Sequence, residues 1–106
     1  MKDIVYDKLV RDYIPEIIRK NGKEPVTDTA DKAEILVLLD RKLKEETQEY
    51  IESHSIEEMA DILEVLHGIA YHMGVSWDEV ENTRIKKRDE RGGFETGVKL
   101  IKVRDN

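Results

Sequence analysis

Residues 35–73 read ILVLLDRKLKEETQEYIESHSIEEMADILEVLHGIAYHM, and the period of their apolar side chains decides the fold. Ile35, Leu36, Leu39, Leu43 and Tyr50 recur at spacings of three, four and seven, the mark of one amphipathic helical face. That helix is predicted from about Ala30 to Ser53. His54-Ser55 makes a brief break, and Ser55 with Glu58 three residues on fits a capping box opening a second helix that runs to Met73 and stops at Gly74. Two long helices joined by so short a turn must run antiparallel.

Outward from this pair the punctuation is sparse, with two prolines, six glycines, no repeat and no low-complexity stretch. Pro15 suits a first helical residue and Asn21-Gly22 a stop, so a short helix of about two turns is predicted before the pair. Ser76-Trp77-Asp78-Glu79 offers another capping box, opening a charged helix through Val80, Ile85 and Lys87 that ends near Gly92-Gly93. The segment Val98-Lys99-Leu100-Ile101-Lys102-Val103 is mostly branched or aliphatic and reads as a short strand or extended arm, with Asp3 to Tyr6 or another subunit as partner. The expected fold is all-α, an antiparallel helical bundle in a single domain over residues 1–106, since one core normally serves about 100 to 200 residues.

Composition narrows the function. The chain is 40% charged and 39% apolar, and at this length it buries about two-thirds of its unfolded surface, which favours an oligomer. Cysteine is absent, which excludes a disulfide framework, a zinc ribbon and a thiol nucleophile. The start shows no apolar run of signal-peptide length and nowhere do about 18 apolar residues follow one another, so a cytoplasmic protein without a membrane partner is expected. A formal charge of −6, from 24 acids and 18 bases, argues against gripping a nucleic-acid polymer.

Some of those acids sit where acids are costly. With successive residues about 100° apart, Glu46 falls inside the apolar arc of the first long helix, and Glu49 lies about 60° to its side. On the second, Glu58 falls between Val65 and Ile69, with Asp61 about 60° away at the edge of the apolar sector. If the helices pack face to face, four carboxylates meet in a partly buried space, where repulsion and desolvation would cost several kcal/mol without a cation. All-oxygen ligation suits Mg²⁺, or Mn²⁺, rather than zinc. In so charged a chain a single pair is weak evidence; both pairs intruding on the apolar faces of consecutive helices are much less so. Glu58 also has a competing role as the third residue of its capping box, and Glu45 and Glu57 read as solvated. A histidine site is the rival, but His67 and His72 are five apart, which misses the spacing of a helical ligand pair.

Two basic clusters remain, Lys8-Leu9-Val10-Arg11 and Arg84-Ile85-Lys86-Lys87-Arg88-Asp89-Glu90-Arg91-Gly92-Gly93-Phe94. The second is either an ordinary complement to a helix C-terminus or a phosphate clamp, in which Arg forks and a diglycine approach phosphate oxygens. No Walker lysine pattern is present.

Glu45-Glu46-Thr47-Gln48-Glu49 followed by Glu58-Met59-Ala60-Asp61 resembles the E-E-x-x-E and E-x-x-D motifs of the MazG-like all-α nucleoside triphosphate pyrophosphohydrolases. Lys8-Leu9-Val10-Arg11-Asp12-Tyr13-Ile14-Pro15 and Arg91-Gly92-Gly93-Phe94 are similar to the flanks of a short phosphoribosyl-ATP pyrophosphohydrolase-like subfamily, so the likeness spans nearly the whole chain. Eight residues, Tyr50 to Glu57, separate the two motifs, fewer than is usual in the family, so the loop that helps shape the base pocket in relatives is minimal. The resemblance implies cleavage of a nucleotide between its α and β phosphates. Glu46, Glu49, Glu58 and Asp61 would hold Mg²⁺, Glu46 would also position or deprotonate the attacking water, and Lys8, Arg11, Arg88 and Arg91 would bind outer phosphates. Phosphoribosyl-ATP hydrolysis in histidine biosynthesis and a noncatalytic helical dimerisation or regulatory module are the alternatives. Setting the four acids aside leaves 24 − 4 = 20 against 18 bases, so much of the net charge belongs to this one candidate site.

Overall fold

A computed structural model describes residues 2–105. All regular secondary structure among them is helical: α1 (Ile14–Lys20), α2 (Lys32–Ser53), α3 (Ile56–Met73) and α4 (Trp77–Arg91). The chain divides into two compact units, one reaching to Val75 and one beginning at Ser76. Among the described residues no helix is long and apolar enough to cross a membrane.

In the first unit each long helix starts on a side-chain cap. The Asp31 carboxylate accepts the Glu34 N–H at 2.8 Å, so α2 opens two residues later than its apolar pattern alone suggests. It closes at His54, whose φ of 52° turns the chain back and whose ring rests on Tyr50 with centroids 5.0 Å apart. Ser55 Oγ then accepts the Glu58 N–H at 3.2 Å and α3 begins at once. At its far end Gly74, at φ 75°, hands its own N–H and that of Val75 back to the last turn, a conformation that a side chain would strain.

The two-residue link folds α3 back along α2. A β-carbon placed on Gly68 would meet Leu39 Cδ2 at 3.4 Å, while Glu46, further along α2, faces Glu58 and Asp61 near the start of α3. The residue order is inverted, so the pair is an antiparallel hairpin. Leu39, Val65 and Ala70 are its buried apolar residues among those described, and Ile35, Leu36, Leu43, Ile62 and Ile69 are half-buried around them. This is a thin core. A second apolar face of α3, formed by Ile56, Met59, Leu63, Leu66 and Met73 at spacings of three, four, three and seven, stays exposed in the single chain.

The second unit is built on α4, capped by Ser76 Oγ on the Glu79 N–H at 3.2 Å and ended by Gly92 at φ 83°. Glu81 and Arg84 pair along its surface. The segment 98–103 carries no regular secondary structure, and Val98, Leu100, Ile101 and Val103 are exposed. The strand expected there is not formed: its branched residues favour strands only when a partner edge completes the hydrogen bonds, and none is present among the described residues.

Because so few side chains hold the hairpin, Leu39→Ala is expected to lower its unfolding free energy by about 2–5 kcal/mol. Urea unfolding followed by circular dichroism reads this directly, and an unmoved midpoint would show that the seam is not held at Leu39.

Candidate metal centre

The apolar seam of the hairpin is interrupted at one level by acids. Glu46 is 6% exposed, the single buried charged side chain among the described residues. Across the seam stand Glu58 and Asp61 from the first turns of α3. One carboxylate oxygen from each of the three lies within 4.8 Å of the others.

Glu58 is free to join because its cap is only half a box. Ser55 Oγ takes the Glu58 N–H, but the Ser55 N–H donates to Ser53 Oγ at 3.4 Å, so the Glu58 carboxylate has no capping role. It turns to the seam instead. Two buried oxygens, Glu46 Oε2 and Glu58 Oε2, have no hydrogen-bond partner. An unsatisfied buried carboxylate oxygen is costly, and two beside a third acid form a donor set that a cation would complete.

The electrostatics agree with this geometry. Burial, followed by a hydrogen bond and charge repulsion from Glu49, pushes the Glu46 carboxyl above the usual carboxylate range, with Lys42 opposing the shift. Glu58 is likewise raised, by burial first and then by the charges of Glu46 and Asp61. Glu49 is therefore a close neighbour of Glu46, yet it is exposed and its oxygens stand outside the three-residue grouping. No histidine joins that grouping.

Cations ring the acids. Lys42, one turn before Glu46, reaches Glu46 Oε1 at 3.4 Å and Glu45 Oε1 at 3.8 Å. Lys8 Nζ lies 3.2 Å from Glu45 Oε1, and Arg11 donates to Asp61 Oδ1 at 2.8 Å. Glu45, read from the sequence as merely solvated, thus anchors two lysines. The four-residue step from Lys42 to Glu46 was available in the sequence as a helical ion-pair spacing. In the second unit Arg88 donates to Glu95 Oε1 at 2.7 Å and holds the Glu95 carboxyl below its usual range. A β-carbon on Gly93 would meet the tips of both side chains, which are flexible enough to shift aside. Arg91 is exposed at the end of α4.

Glu46, Glu58 and Asp61 thus form an acidic cluster of a composition and closeness that could hold a metal ion. Comparison with protein-family models, curated proteins and solved structures returns no significant match for the chain.

A carboxyl whose folded-state pKa is raised binds its proton more tightly when folded, so its stabilising contribution is complete at low pH and is lost as pH climbs through the raised value. Metal-free Glu46→Gln is therefore expected to gain stability over the parent protein as pH rises from about 4.3, the ordinary glutamate value, towards neutrality. Melting temperatures of both proteins from pH 4 to 8 test this. A constant difference would contradict the buried-charge account.

Proposed function

We propose that the chain is a Mg²⁺-dependent nucleotide pyrophosphohydrolase of the MazG-like kind, cleaving a nucleoside triphosphate, noncanonical bases included, to a monophosphate and pyrophosphate. The observation that carries this reading is the pair of unpartnered buried oxygens, Glu46 Oε2 and Glu58 Oε2, converging with Asp61 across a helical seam. Nothing in the packing of a helical hairpin calls for acids at these positions. A polyanionic substrate with its counter-cations does.

In this reading Glu46, Glu58 and Asp61 hold the cation and Glu49 borders it. Bound Mg²⁺ supplies Lewis acidity and charge neutralisation at the phosphates. The chain's own part is positioning and proton transfer. Water forms a new P–O bond as the α–β anhydride bond breaks and pyrophosphate leaves, and the water's proton passes to the Glu46 carboxylate. Lys8 and Arg11 stand at the rim of the cluster, where they are suited to meet phosphate oxygens.

We also propose that the protein works as a homodimer or homotetramer. The support is the exposed stripe of Ile56, Met59, Leu63, Leu66 and Met73, whose heptad spacing fits a second copy of α3 and whose burial would supply what the thin core lacks. The same stripe would serve a noncatalytic dimerisation module, so the decisive experiment concerns chemistry.

A screen of nucleoside triphosphates and phosphoribosyl-ATP with Mg²⁺, reading pyrophosphate against orthophosphate, is expected to give pyrophosphate. Glu58→Gln and Asp61→Asn should each reduce that release by at least about 100-fold with helical circular dichroism unchanged. Preference for phosphoribosyl-ATP over triphosphates would assign the histidine-pathway activity. No turnover, together with no change in melting temperature on adding Mg²⁺ or Mn²⁺, would favour the noncatalytic module.

A further inference from the structure

Lys8 and Arg11 lie in a segment with no regular secondary structure whose residues are nearly all exposed. Its side chains nevertheless reach far along the sequence, Lys8 to Glu45 across 37 positions and Arg11 to Asp61 across 50. The two acids sit on different helices, so this short stretch pins itself across the hairpin through two ion pairs. One of these, at 2.8 Å, occupies an oxygen of the acidic cluster itself.

We infer that residues 8–11 form a resident counter-ion strap: Arg11 neutralises Asp61 while the cluster lacks a divalent cation, and cation binding expels it. The inference rests on the metal reading of Glu46, Glu58 and Asp61. Three positive side chains, Lys8, Arg11 and Lys42, surround those three acids and Glu45. Lys42 is fixed by its place on α2. Arg11 is held by no helix, and a guanidinium beside a divalent cation on the same carboxylate adds like-charge repulsion to the loss of its partner. The pair is also half-exposed, 55% at Arg11 and 39% at Asp61, so water compensates the released guanidinium and the exchange is inexpensive. Expulsion would free the positive charge of Arg11 for an incoming polyphosphate. Cation loading and substrate capture would thereby be linked through one segment.

The test is cation affinity in the full chain. Mn²⁺ titration by calorimetry at 150 mM salt would compare the parent protein with Arg11→Gln and with Arg19→Gln, an equal charge change on the exposed surface of α1. Arg11→Gln is expected to bind Mn²⁺ about threefold to fivefold more tightly, the worth of an exposed ion pair removed from competition, and Arg19→Gln to match the parent. As cysteine is absent, a nitroxide on Val10→Cys, exposed within residues 8–11, reports the segment in an otherwise native chain, and its spectrum should sharpen when Mg²⁺ is added. Unchanged or weaker binding by Arg11→Gln, equal tightening in both variants, or a spectrum indifferent to Mg²⁺ would each overturn the strap while leaving the metal site standing. Absence of binding in parent and Arg11→Gln alike would overturn the metal reading and the strap with it.

Discussion

Everything distinctive about this chain follows from one conflict, a glutamate placed where the hairpin needs an apolar side chain. Glu46 occupies the buried line of α2 that Leu39 opens, and its Oε2 has no partner. Desolvation and the neighbouring acids both oppose its charge, so it must take up a proton, attract a cation or destabilise the pair. Lys42 answers only part of the demand, because its contact is to Oε1 at 3.4 Å. The remaining oxygen keeps the cluster attractive to a cation, and an arginine fifty residues away along the chain has been recruited to its edge.

Local geometry makes the conflict possible. The two-residue link between α2 and α3 fixes their register, so the acids of one helix stand opposite those of the other. Gly68 presents no side chain opposite Leu39, where a β-carbon would stand at ordinary van der Waals distance. Ser53 completes the arrangement by supplying the acceptor for the Ser55 N–H that the Glu58 carboxylate would otherwise provide in a full capping box. Each is a small choice, and together they hold two carboxylates in a seam that packing alone would fill with leucine.

The features legible in the sequence were those with local causes. The helical period of Ile35 to Tyr50, the serine caps at Ser55 and Ser76 and the stop at Gly74 are encoded within a few residues of where they act. The wheel positions of Glu46, Glu58 and Asp61 were legible for the same reason, since an acid inside an apolar arc must meet whatever packs on that arc. Glu49 shows the limit of this reasoning. Sixty degrees of rotation is enough to leave it exposed, in reach of Glu46 but outside the tight grouping. The pairs Lys8–Glu45 and Arg11–Asp61 could not be read, because they join elements whose approach depends on the fold. The Arg88–Glu95 pair beside the diglycine was equally hidden, and the β-prone tail lacked, among the described residues, the partner edge a strand requires.

The thin core bears on which functional reading is more economical. A hairpin that buries only Leu39, Val65 and Ala70 among its described apolar residues has little stability to lose, yet it keeps a glutamate at the one charged position inside. For a module whose task is to associate through α3, this is pure cost: the stripe from Ile56 to Met73 lies on a different face and needs no acids in the seam. Leucine at position 46 would serve such a module better. For a cation site the same glutamate is the requirement, and the cost is recovered whenever the ion binds, because ligand binding to the folded state alone adds to its stability. A structure that tolerates a repulsive centre within so small a core is therefore more readily understood as one completed by a cation than as one that merely endures it.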